Sequence, residues 1–144
     1  PFESIEDEVF INIIRTAEAL MRKQTEFLKS YDLTPSQFNV LRILRGSEPD
    51  GGLICREIGE RMVAYDPDVT KLLDRLEARD LIVRERQQKD RRVISVRISA
   101  EGLKLLRKTD QAIQDFAKTL LGHMNEKKLR TLNELVEEAR VRSG

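Results

Sequence analysis

The sequence has no tryptophan, one cysteine, one histidine and only 5% aromatic residues. A lone Cys55 excludes an intramolecular disulfide framework, and a reducing compartment fits best. Its plain reading is a small, partly buried residue. A lone His123, beside Gly122 and with no cysteine or second histidine nearby, leaves no metal-ligand set. No apolar run approaches the ~20 residues that a membrane helix needs. The first residues show no basic-then-apolar signal pattern. The chain is therefore expected to be cytoplasmic, with no membrane partner and no cofactor. It contains no Ser/His/Asp set, glycine-rich phosphate loop or paired-carboxylate motif, so an enzyme is not expected. Nor is there an excess of one charge: the formal net charge is +1. Bulk charge thus says nothing about nucleic acid, and any such case must rest on where the charges sit.

What the chain does have is 40% hydrophobic and 35% charged residues over 144 positions. That length fits one domain, or one domain with dimerising extensions. The composition suits a mainly α protein with a Leu/Ile/Val core.

Periodicity supplies the elements. Residues 4–29 read as one long helix, with Ile5, Val9, Phe10, Ile13, Ile14, Ala17, Leu20, Met21, Gln24 and Leu28 at three- and four-residue steps. That apolar set is wide enough for burial on two sides, against a second copy of the chain. Residues 33–44 form a second helix. Thr34 and Gln37 make a capping box, Pro35 takes the first position and Gly46 ends it. A loop follows over residues 47–52. Residues 53–63 read as a third helix and residues 68–80 as a fourth, with Asp66 as its cap and Pro67 at its first position. On the fourth, Val69, Leu72, Leu73 and Leu76 share one face, and Lys71, Asp74, Arg75 and Ala78 point away.

After Asp80 the period changes from 3.6 to 2. Residues 81–85 and 93–98 alternate as strands around a charged tip at 87–92. Ser99 caps a fifth helix that ends near Gly122. Asn125 caps a sixth that runs to about Arg142. Helix, turn, helix and hairpin in this order is the winged helix-turn-helix pattern, whose usual partner is double-stranded DNA.

Charge placement agrees. Residues 71–97 hold nine basic and five acidic side chains, a net of +4, whereas residues 3–26 carry a net of −3. Residues near the start of the fourth helix reach base edges first, which makes Asp68, Thr70, Lys71, Asp74 and Arg75 the base-reading candidates. The tip would carry Lys89, Arg91 or Arg92 to a phosphate or into the minor groove. Asp90 can pair with a neighbouring guanidinium and fix its orientation. The alternative is a winged domain used only for protein contacts, since fold alone does not settle function.

The run PDVTKLLDRLEARDLIVRE (67–85), the tip motif Asp90-Arg91-Arg92, the ISAEG run (98–102) and the segment LTPSQF (33–38) resemble the MarR family of bacterial transcriptional regulators. The resemblance covers nearly the whole chain in order. It implies a homodimer of triangular outline, joined by N- and C-terminal dimerisation helices (1–32 and 100–144). Each subunit would present one winged DNA-binding region (33–99) to a pseudo-palindrome. It makes Arg92 the wing arginine and Asp90 its partner. It also implies a repressor released by a small aromatic or anionic effector, for which Phe10, Ile14, Phe38, Arg42 and Met62 are the candidate lining. One departure is the Tyr65-Asp66-Pro67-Asp68 run, where many relatives carry small hydroxyl residues.

Overall fold

The computed structural model describes residues 1–141. Its elements are α1 (Ile5–Lys29), α2 (Pro35–Gly46), a single 3-10 turn (Glu48–Asp50), α3 (Cys55–Arg61), α4 (Val69–Ala78), β1 (Ile82–Arg86), β2 (Ile94–Ile98), α5 (Ala100–Leu121) and α6 (Glu126–Val141). The chain divides into two compact units, Pro1–Thr109 and the part from Asp110 on. The expected end of the sixth helix at Arg142 lies outside the described residues.

In the first unit, local chemistry places the helix starts. The Ser4 hydroxyl accepts the Asp7 N–H at 3.0 Å, and Glu6, Asp7 and Glu8 sit at the positive end of α1. Thr34 and Gln37 exchange both bonds of the capping box, each at 3.1 Å, with Pro35 at the first position of α2. α2 runs through Gly46, however. Its cap is the buried Ser47, whose hydroxyl donates to the Leu44 carbonyl at 3.1 Å. Glycine is needed later, at Gly51 and Gly52, where φ is +85° and +100°.

Two helices end alike. Asp32 after α1 and Asp80 after α4 take left-handed φ values of 54° and 58°. Each lets the next residue reach back five positions: Leu33 N–H to the Leu28 carbonyl, and Leu81 N–H to the Leu76 carbonyl. All four leucines are buried. That is the Schellman ending with its apolar clasp, built twice with aspartate in place of glycine.

The core of this unit is Leu28, Leu33, Phe38, Val40, Leu41, Leu44, Ile58, Leu72, Leu73, Leu76, Leu81, Ile82, Val96, Ile98 and Leu106. The apolar side of α1 contributes only Leu28 to it. Ile5, Val9, Phe10, Ile13, Ile14 and Met21 are exposed.

Three further expectations need correction. The third helix is shorter than residues 53–63, because Leu53 forms an isolated antiparallel bridge instead. It exchanges both backbone hydrogen bonds with Val96, at 3.0 and 2.7 Å. Gly52 makes this approach possible, since a Cβ there would lie 2.6 Å from both the Val96 carbonyl oxygen and Arg97 Cγ. The cap of α4 is Asp68, not Asp66, and Pro67 lies outside the helix. Asp66 instead accepts the Asp68 N–H at 2.8 Å, an Asx turn that sets up the cap. Finally, β1 starts one residue later than expected, because Leu81 completes the turn after α4. β1 and β2 then pair antiparallel, with Ile82 opposite Ile98 and Arg84 opposite Val96.

Ser99 closes the base of the hairpin. Its hydroxyl donates to the Asp80 carbonyl at 2.6 Å and accepts the Gly102 N–H at 3.0 Å, capping α5 as expected. In the second unit, the Asn125 side chain accepts the Lys128 N–H at 2.8 Å and caps α6. No residue of α6 is buried, and Leu132, Leu135 and Val136 are exposed. No helix among the described residues is long and apolar enough to cross a membrane.

Candidate nucleic-acid interface

α4 is held by its leucines. Leu72, Leu73 and Leu76 are buried, and the helix packs on α2, α3 and β1. Val69 lies over Gly59 of α3, where a Cβ would sit 3.5 Å from Val69 Cγ2, an ordinary contact distance. Cys55 Sγ approaches Thr70 Oγ1 at 3.8 Å along the same contact. This anchoring leaves Thr70, Lys71, Asp74, Arg75 and Ala78 on the exposed side.

The five base-reading candidates do not stand alike. The Asp68 carboxylate is engaged in the cap, accepting the Lys71 N–H at 3.0 Å. The Asp74 carboxylate lies 2.7 Å from Arg84 Nη1. Lys71 and Arg75 are exposed and have no ion-pair partner among the described residues. Arg75 also lines an open cleft of about 530 Å³, together with Lys29, Asp32, Gln37 and Arg79. In that cleft Arg79 pairs with Asp32 at 3.6 Å.

At the tip, the Val93 N–H donates to the Asp90 carbonyl at 3.0 Å and the Gln87 N–H to the Val93 carbonyl at 2.9 Å, closing a tight turn. The Arg86 guanidinium braces it through the Arg91 carbonyl at 2.7 Å. Asp90 accepts both the backbone N–H and the guanidinium of Arg92. These bonds hold its carboxyl below the usual carboxylate range, the side-chain bond having the larger effect. The Arg92 side chain is nevertheless 91% exposed. Lys89 and Arg91 of the same tip are exposed as well.

Several relevant residues escaped the sequence reading. Arg84 of β1 reaches α4 at Asp74, Glu77 and the Thr70 carbonyl. Its parity was the available signal: two positions after Ile82, it shares the face that looks toward the core. Arg97 of β2 pairs with Glu48 at 3.3 Å, tying the hairpin to the loop after α2. Val63 and Tyr65 are about nine-tenths exposed in the turn just ahead of α4.

The expected effector lining is distributed over different environments. Phe10 and Ile14 lie on the exposed side of α1. Phe38 is buried, with the Arg42 guanidinium 5.5 Å from its ring centroid. Met62 is half-buried at the end of α3, where the Val63 N–H donates to Asn39 Oδ1 at 2.7 Å.

Comparison with known proteins gives consistent findings. A family model described as MarR family matches residues 31–93. The chain is 33% identical over 87 residues to the HTH-type transcriptional regulator SarZ of Staphylococcus aureus, a stretch covering 60% of this chain and 57% of SarZ. The match thus spans little more than half the length of these curated relatives. A MarR transcription factor from Planctomyces limnophilus is 32% identical, covers 95% of this chain and 98% of that one, and superposes with a TM-score of 0.72. The chain also shares its fold with S. aureus MepR, solved as a DNA complex. That comparison has a TM-score of 0.80 at 21% identity and covers 94% and 96% of the two chains.

Proposed function

This chain belongs to the MarR family, and from that premise we propose that it is a transcriptional regulator that binds double-stranded DNA sequence-specifically as a homodimer. The observation that carries the reading is the shared exposure of Lys71 and Arg75 on α4 with an Arg92 oriented by Asp90 at the hairpin tip. α4 has the dimensions for a major groove ~12 Å wide. In this reading Thr70, Lys71 and Arg75 meet base edges. Lys89, Arg91 and Arg92 meet phosphate or the adjacent minor groove. Asp68 and Asp74 shape the helix and its setting. MepR, which shares this fold, was solved as a DNA complex, and that supports DNA as the partner here.

Apolar surface supports the homodimer reading. Ile5, Val9, Phe10, Ile13 and Ile14 on α1, and Leu132, Leu135 and Val136 on α6, are exposed in the single chain. Exposed apolar side chains on each of these helices call for a partner. Residues 1–32 and 100–144 would make the dimer, and 33–99 would meet DNA. Two winged units then engage half-sites about one helical turn, ~34 Å, apart. Repression relieved by a small aromatic or anionic effector completes the reading, with Phe10, Ile14, Phe38, Arg42 and Met62 as the residues to probe.

Selection of bound duplexes from a random pool tests the proposal. Paired half-sites at one-turn spacing are the expected result, and failure to retain any duplex at low salt overturns it. Repeating the selection with benzoate and simple phenols tests the effector.

A further inference from the structure

Arg84 sits at the middle of β1, opposite Val96 of β2, with its side chain only 22% exposed. Its guanidinium meets three acceptors on α4. Nη1 lies 2.7 Å from Asp74 Oδ1 and 3.6 Å from Glu77 Oε1, and Nη2 donates to the Thr70 carbonyl at 3.3 Å. Residues 70, 74 and 77 follow at four- and three-residue steps, so they form one stripe along the helix. A single planar fork therefore spans two turns of α4 from the centre of the hairpin.

We propose that Arg84 is a positioning residue that fixes the wing against the recognition helix, so that Lys71 and Arg92 reach their grooves together. This rests on the DNA-binding reading above. Arg84 is not itself a phosphate contact, because two carboxylates already balance its charge. Ion pairs with partners as exposed as Asp74 and Glu77 contribute little to global stability. What the fork supplies is geometry. The tip lies six to eight residues beyond Arg84, and Arg92 is almost wholly in solvent. A hairpin free to swing about its base would lose that freedom on docking and bind more weakly for it.

The test is a double-mutant cycle on a duplex taken from the selection. Dissociation constants are measured for the unmodified full chain, Arg92→Ala, Arg84→Ala and the double variant. If Arg84 positions the tip, Arg92→Ala alone weakens binding roughly tenfold, but less than about threefold when Arg84 is already Ala. Arg84→Lys, which keeps the charge and loses the fork, falls between. Should Arg84→Ala lack a native circular dichroism spectrum, Asp74→Asn replaces it in the same cycle. Equal fold-losses in both backgrounds, in a chain that binds, overturn the role of Arg84 alone. An unmodified chain that binds no duplex overturns the DNA-binding reading and this one with it.

Discussion

Asp90 grips the arginine two residues downstream at both ends. Its Oδ1 accepts the Arg92 backbone N–H at 3.0 Å and Nε at 3.1 Å, and its Oδ2 accepts Nη2 at 3.3 Å. The side chain thus oriented is exposed, and under the proposed function that orientation presets it for a phosphate. Less rotamer freedom remains to be lost when it docks.

Arg92→Ala should weaken binding to all duplexes alike and lower the salt slope of log Kd by about 1, the mark of one phosphate contact removed. Fluorescence anisotropy over a salt series measures this. Thermal stability should stay within about 0.5 kcal/mol of the unmodified chain, since nothing is buried there.

The pH dependence has a definite sign. The Asp90 carboxyl is held below the usual carboxylate range by Arg92, so it is ionised at every pH above that range. The Arg92 grip is complete there and is lost only as pH falls through the lowered value. Duplex affinity should therefore show no Asp90-dependent change between about pH 5.5 and 8. Asp90→Asn should weaken binding across that whole window by a constant factor, read from anisotropy at each pH.

Lys71→Ala should act differently from Arg92→Ala. If the ammonium reads a base edge, the loss is ~1–3 kcal/mol on the selected duplex and small on unrelated ones. Repeating the selection with the variant should return a relaxed consensus at one position of each half-site.

Asp80 holds a left-handed backbone, and its hydrogen bonds are main-chain ones: its N–H donates to the Glu77 carbonyl at 2.9 Å and its carbonyl accepts the Ser99 hydroxyl. Asp80→Gly should raise stability by about 1 kcal/mol, because glycine takes that conformation without the Cβ penalty. An upward shift of the denaturation midpoint, with duplex affinity unchanged, is the expected result.

Ile13→Glu places a charge in the exposed apolar side of α1. Helix content should be unchanged, while light scattering should report half the mass of the unmodified protein. A mass that stays the same would show that this face is not the dimer seam.

Legibility from sequence followed the range of the interaction. The Thr34-Pro35-Gln37 start, the Leu72, Leu73 and Leu76 side of α4 and the Asp90-Arg92 pair depend on neighbours within a turn or two, and the hairpin on the alternation within each strand, so residue spacing exposes them. Leu53 looked helical because one residue pairing with Val96, 43 positions away, leaves no periodic trace. Asp66 and Asp68 could each cap α4, and the Asx turn at Asp66 decided between them. Asp74 read as an open carboxylate because its partner lies on another element, ten residues on.

The Leu53–Val96 pairing carries a lesson for engineering. β2 lies between β1 and Leu53, a single bridging residue that comes from before α3. Transplanting 81–99 onto another scaffold would leave Val96 with unmet backbone groups and Arg97 without Glu48. The portable cassette begins near Glu48, and designers who exchange wings between regulators should cut there.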